Sequence, residues 1–550
     1  MKRIIHFLLV SLLTFIIGCY VFSTAIAGEP RRAYYSEENT NIFWFLLISD
    51  VHIGRSGSRD RDNLNWATGD GPGEARQVIN PKFIINAGDL VNGGSSIPWE
   101  VWRDEPYEKE WKEYREQILD PNGINDEIYT DAPGNHDQYY ESKDDPLRFY
   151  RQYSIQIEPQ RSWVLGPEEG IIFGKYHFIT IATPDPDYTN PFWDWWDDFH
   201  GDLSDEEIDF IRNALDENKD ANLTFIFGHH GLQGWGAIEG GREEFSRLLG
   251  EYGVSIYGYG HTHAGEEVPP YFVNSDSSGK FLPSLAFNVN SLWEDSRYAI
   301  IAVDNDGVSL AHVNVNQWPV VLITTPIDKK LGGINPYAYP VPASKSNPIR
   351  ALVFNPNPVI QVYYRIDGGE PKPMEQVSTS HPCYPYLWQT TEWDATSLPP
   401  GDHTIRVEIP ETEEFDEITV EIQSKVIPIP DIRVNGSDGP ITLNQSDTMT
   451  VSVVLDNNGR VNNADWWLAA DTPLGLYFFT FDGWTTNWLP AYQGPLFYLD
   501  LFEVLNMPVL GLPAGTYTLY FGIDTVMDGN VTWDSAYYDS VVVDVSEECM

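Results

Sequence analysis

Between residues 41 and 313 this chain carries five short, almost wholly apolar runs, "IFWFLLIS", "KFIINA", "YHFITIA", "NLTFIF" and "VSIYGY". Each is rich in β-branched and aromatic residues and is bounded by Gly, Asp or Pro, so each is predicted to be a strand. The segments between them are polar and partly helical in spacing. In "LSDEEIDFIRNALDENK", Ser204 and Glu207 form a capping box, with Ile208, Ile211 and Leu215 at helical intervals after it. Strands alternating with helices predict a layered α/β domain.

The residues just past these runs are chemically narrow. "LLISDVHIG" ends on Asp50 and His52, "IINAGDLVNGG" on Asp89, "TFIFGHHGL" on His229 and His230, and "YGYGHTHAG" on His261 and His263. A further loop, "DAPGNHDQYY", supplies Asn135, His136 and Asp137. In open α/β sheets, ligands bind beyond the carboxyl ends of the strands, so these loops are expected to converge on one crevice. Imidazole, carboxylate and amide donors without a thiolate suit Mn, Fe, Zn or Co. Asp50, His52, Asp89, Asn135, His229, His261 and His263 exceed the needs of one ion. Two ions roughly 3.5–4 Å apart, sharing one carboxylate, would use them all. Residues i and i+2 of an extended segment share a face, which predicts that His261 and His263 each serve a different ion. Gly260 spares the backbone a Cβ beside the metals.

The blocks "DVH", "GDLV", "GNHD", "GHH" and "GHTH" stand in the order of the calcineurin-like metallophosphoesterases, which the chain resembles over about residues 42–315. Any one block alone is weak; the five together are specific. The resemblance implies a layered β-sandwich flanked by helices and two divalent or trivalent transition-metal ions. It assigns Asp50, His52 and His263 to one ion, Asn135, His229 and His261 to the other, and Asp89 as the bridge. It makes His136 the catalytic histidine at the leaving oxygen, with Asp137 placed to orient its imidazole. The implied reaction is hydrolysis of phosphate mono- or diesters by a metal-activated hydroxide attacking in line. His230 is expected behind the ligands or facing substrate.

The texture changes after residue 317. Pro and Asn become frequent and helical spacing vanishes, which predicts two all-β, immunoglobulin-like sandwich domains over 318–428 and 429–550. The catalytic domain is expected over 28–317. Trp466, Trp467, Trp484 and Trp488 of the last domain are expected in its core. The aromatic block "PFWDWWDDFHGD" is read as a packed loop or domain contact, with a substrate-facing lid as the alternative. The stretch from Tyr107 onward is expected to be helical and to shape the rim of the cleft.

The N-terminus, "MKRIIHFLLVSLLTFIIGCYVFSTAIAGEP", has a basic head, an apolar run and the small residues of Ala25-Ile26-Ala27. It predicts a secretory signal over residues 1–27 and a secreted or periplasmic protein. A retained membrane anchor and a lipoprotein box at Cys19 are the alternatives. Cys383 and Cys549 beyond it form no disulfide framework. A formal charge of −47 opposes binding of a nucleic-acid duplex. The partner implied is a phosphate ester, and nothing in the sequence sets the oligomeric state. The competing function is surface binding or adhesion through the sandwiches, with a catalytically weak N-terminal domain.

Overall fold

The computed structural model describes residues 42–546, apart from short internal stretches that include 94–104, 139–144, 185–199, 264–268 and 274–280. The N-terminal segment and most of the aromatic block at 191–202 therefore lie outside the described residues.

All five predicted runs are strands: Ile42–Ile48, Ile84–Asn86, Tyr176–Thr180, Leu223–Phe227 and Ile256–Tyr259. They divide between two sheets. One orders Gly307–Asn314, Arg297–Asp304, Ile42–Ile48, Ile84–Asn86 and Tyr129–Asp131. The other orders Tyr271–Val273, Ser284–Asn288, Ile256–Tyr259, Leu223–Phe227, Tyr176–Thr180 and Arg161–Leu165. Both mix parallel and antiparallel pairs, such as Leu46 beside Ile84 in parallel and Ile42 beside Asp304 in antiparallel.

The unbroken apolarity of these runs comes from two-sided burial. Side chains alternate across a strand. Phe43, Phe45 and Leu47 face a core between the sheets that also holds Phe178, Phe225, Phe227 and Ile301. Ile42, Trp44, Leu46 and Ile48 face the opposite core, under the helices Arg59–Thr68 and Ala75–Ile79. On the far side, Ile179 and Ile226 meet the helices Asp205–Glu217 and Arg242–Glu251. The first of these helices opens with the capping box: Ser204 Oγ accepts from Glu207 N, and the Glu207 carboxylate accepts from Ser204 N. Glu105–Lys112 is helical and continues as a wider π turn over Glu113–Leu119. Its Glu110 accepts from the Gly93 N–H at 3.0 Å, which sets this helix beside the loop carrying Asp89.

Beyond residue 317 strands dominate. Val320–Thr325, Asn347–Phe354, Leu387–Trp393 and Glu375–Gln376 form one sheet; Lys372–Pro373, Tyr363–Ile366, Gly401–Glu408 and Phe415–Ile422 form its partner. Val321, Ile323, Ala351 and Val353 fill the space between these two sheets. Their neighbours Val320, Leu322, Leu352 and Phe354 turn the other way, onto the core that contains Trp44 and Leu46. One sheet thus serves two cores. A second sandwich, of strands between Ile429 and Val545, has its own core. Trp466 and Trp467 are buried as expected and Trp484 packs on the core, but Trp488 is 40% exposed because it sits on a loop beyond Gly483–Thr485. Cys383 is buried as a free thiol.

Candidate metal centre

The chain leaves the end of Ile42–Ile48 and runs beside the loop after Ile84–Asn86. Asp50 N–H donates to the Gly88 carbonyl at 2.9 Å, and Val51 and His52 N–H both donate to the Asp89 carbonyl at 2.9 and 3.0 Å. To aim side chains inward from this pair of turns, Asp50, His52 and Asp89 take φ of 52°, 51° and 54°. That is the left-handed region, disfavoured for residues with a Cβ but populated more by Asp and His than by most. His261 does the same, at φ 71°. The extended geometry expected of "HTH" is therefore absent: the strand ends at Tyr259 and the backbone turns at His261. The two imidazoles still part: His263 joins the donor group of Asp50 and His52, and His261 that of Asp89 and His229.

Three glycines let the loops close to contact. A Cβ on Gly260 would overlap Asp50 Oδ2; one on Gly134 would overlap Asp89 Oδ1; one on Gly88 would lie 2.7 Å from His229 Nδ1. The spacing leaves no room for a methyl group at any of them.

Donor atoms of Asp50, His52, Asp89 and His263 lie within 4.8 Å of one another, as do those of Asp89, His229 and His261. Asp89 belongs to both groups. Asn135 is buried at the start of a 3-10 turn, Asn135–Gln138, whose flanks both touch Asp89: Gly134 packs on its carboxylate and His136 N–H donates to Oδ1 at 2.9 Å.

The hydrogen bonds fix which nitrogens point inward. His229 Nδ1 lies 2.9 Å from the Ala87 carbonyl oxygen, which only accepts, so Nδ1 carries a hydrogen and Nε2 is the nitrogen turned to the site. That Nε2 faces Asp89 Oδ2 at 3.1 Å and His261 Nδ1 at 3.3 Å. His263 donates from Nδ1 to Glu294 Oε2 at 3.1 Å, while its Nε2 faces Asp50 Oδ1 and His52 Nε2, both at 2.9 Å. Lone pairs converging on carboxylate oxygens repel unless a proton or a cation lies between them. Carboxylate or carbonyl partners behind ligating histidines are the usual support of a metal site. The residues fit a pair of cations.

Protonation directions agree. Burial opposes charge on Asp89, yet the charges of His229 and His136 hold its carboxyl well below the usual range. Burial lowers His229 and His263, but Asp89 for the first and Asp50 for the second overcome it and raise each to about 9. Burial, then the charge of His229, pushes His261 down to about 3; burial, then the charge of His136, takes His52 well below its ordinary value. Positive charge is thus drawn to two places, one beside each aspartate.

His136 stands outside both groups, its ring 4.5 Å from that of His52, and keeps part of its surface exposed. Its Nδ1 donates to the Asn92 carbonyl at 2.8 Å. The orienting role expected of Asp137 is corrected here. The Asp137 carboxylate accepts from the N–H groups of Leu90, Val91 and Gly134 at 2.7–3.2 Å and so ties the "GDLV" and "GNHD" loops together. His230 lies behind the ligands, fully buried, with Nδ1 2.8 Å from the Thr183 hydroxyl and its ring 4.5 Å from His261. The sequence reading missed Glu294, Trp293 and Arg55. The first two come after the strand Ser284–Asn288 in "NVNSLWED", whose polar end was a signal of the same kind as the others.

These features are matched elsewhere. Residues 43–265 match the family model "Calcineurin-like phosphoesterase", and this region is a calcineurin-like metallophosphoesterase domain with a buried Asp/His cluster. The chain is 28% identical over 384 residues to Transmembrane protein 62 of Mus musculus, covering 69% of this chain and 54% of that protein. It is 23% identical over 414 residues to an Arabidopsis thaliana protein named provisionally as a metallophosphoesterase, covering 64% of this chain and 52% of the other. The chain spans about half the length of the curated relatives it matches. Among solved structures, fibronectin(III)-like modules of Clostridium thermocellum CbhA align with 42% of this chain and 95% of their own at 15% identity, with a TM-score of 0.14, which bears on nothing further.

Proposed function

We propose that this protein hydrolyses phosphate mono- or diesters at a two-metal centre. The observation that carries the reading is Asp89, whose carboxylate belongs to two separate sets of converging donor atoms. Ions held there would supply Lewis acidity toward a phosphoryl oxygen and make water acidic enough to attack near neutral pH. The ligand set suits Mn, Fe or Zn.

The chain's own residues then have distinct tasks. Asp50, His52 and His263 would hold one cation and Asn135, His229 and His261 the other, with Asp89 available to both. Glu294 and the Ala87 carbonyl keep His263 and His229 in the tautomers that direct Nε2 inward. His136, with Nδ1 committed to the Asn92 carbonyl, exchanges a proton with the leaving oxygen through Nε2. Asp137 keeps the loops bearing Asp89 and His136 in register.

The test is a chromogenic monoester and diester assay on protein stripped by chelator and then resupplied with each metal. Activity should vanish on stripping, return with metal, and be absent from Asp89→Asn. Undiminished hydrolysis by the stripped protein or by Asp89→Asn overturns the reading. The basic head and apolar run before Gly28 support export from the cytoplasm; N-terminal sequencing of exported protein should begin at Gly28. Among the described residues no helix is long and apolar enough to cross a membrane.

A further inference from the structure

Beside the donor group of His52 and His263 lies a cation that the proposed chemistry has not used. The Arg55 guanidinium carbon sits 4.9 Å from the centroid of the Trp293 ring. That ring in turn lies 5.9 Å from His52 and 6.3 Å from His263. The Arg55 backbone N–H donates to the His52 carbonyl at 3.1 Å, so the residue is tied to the ligand loop itself.

Arg61, Arg76, Arg115, Arg151, Arg212 and Arg247 of this domain each pair with a carboxylate. Among the described residues, no carboxylate pairs with Arg55, and its Nε is buried without a hydrogen-bond partner. In a chain with 81 acidic residues against 34 basic ones, a cation kept clear of carboxylates beside a polar site is a place for an anion from outside. Stacking on an aromatic face holds the guanidinium flat while leaving its edge to hydrogen-bond.

We infer that Arg55, held against Trp293, binds an anionic oxygen of the substrate and selects phosphate monoesters over diesters. The inference rests on the phosphoesterase reading. A monoester presents three non-bridging oxygens and a diester two. Two cations can engage two of them, and the third, with the extra negative charge of a monoester, is what Arg55 receives. A guanidinium makes its strongest hydrogen bonds to such dianionic groups.

Arg55→Ala and Arg55→Lys test this in the full chain, each reconstituted with manganese and checked for metal content. Wild type should favour the monoester in kcat/KM. Arg55→Ala should shift the monoester-to-diester ratio of kcat/KM against the monoester by at least about tenfold, the size of one lost charged hydrogen bond. Calorimetric titration of the metal-loaded proteins with inorganic phosphate should show a similar loss of affinity, with Arg55→Lys recovering part of it and metal content unchanged in both. Equal losses on the two esters with phosphate affinity intact would overturn the inference, as would a wild-type diester preference that Arg55→Ala leaves alone. Collapse of the underlying reading looks different: wild type itself retains no metal and cleaves neither ester, and both claims then fall together.

Discussion

Asp50, His52, Asp89 and His261 all sit at φ between 51° and 71°. A left-handed backbone costs on the order of 1 kcal/mol or more at each residue, so four together at one place record a site that the surrounding loops hold in shape. The residues differ in what they should do when removed. His136→Ala should leave metal content intact while lowering kcat roughly 10²–10⁴-fold, the range for a lost proton-transfer group; metal loss, read by elemental analysis, would make His136 structural instead. A second effect of burial lies far from the site. Glu207, in its capping box, is pushed up to about 7 by burial. A carboxyl raised in the folded state favours folding fully below its unfolded pKa, near 4.5, and loses that contribution as pH rises through about 7. Glu207→Gln should therefore melt close to wild type at pH 4.5 and above it at pH 8, by roughly 1–3 kcal/mol of stability. Calorimetry at the two pH values checks it.

At the scale of elements, the site is made of loops pressed together, and the glycines set how close they come. Gly134→Ala would drive a methyl group into Asp89 Oδ1. The expected outcome is a folded protein, by circular dichroism, that binds less metal and turns over at least about tenfold more slowly. The same loops show what could be read from the sequence. Strands, the capped helix and the clustered His and Asp side chains were legible, because apolar runs and chemically distinctive side chains carry their own signal. The partner of His136 was not, since a backbone carbonyl such as that of Asn92 has no residue identity to read. Asp137 misled for a related reason: adjacency in sequence suggested a bond to His136, but its carboxylate found three backbone donors. The extended rule failed at His261 because the strand had already ended. Glu294 was hidden because the strand before it, "SLAFN", is too short and too mixed in polarity to stand out as an apolar run.

For the whole molecule, the first sandwich is a structural part of the N-terminal α/β region. Its strands Val320–Thr325 and Asn347–Phe354 cover Trp44 and Leu46, and the Asp304–Arg350 pair, with Thr324 and Thr325 donating to Asp304, locks the junction in a fully buried setting. The second sandwich has a core of its own, from Ile432 to Val545. A chain ended at residue 428 should therefore keep the melting transition and the metal content of the full protein, whereas one ended at residue 317 should unfold at much lower temperature or aggregate. Scanning calorimetry of the two truncations distinguishes these; a stable, metal-loaded chain of residues 28–317 would contradict the shared core. The charge of −47 suits solubility of such a multidomain chain and sets Arg55 apart as a retained cation beside the site.

The most direct test is anomalous diffraction from crystals grown with manganese or zinc. Two peaks are predicted, one among Asp50, His52, His263 and Asp89, the other among Asn135, His229, His261 and Asp89, with Asp89 between them. A single peak, no peak, or peaks away from these side chains would contradict the account.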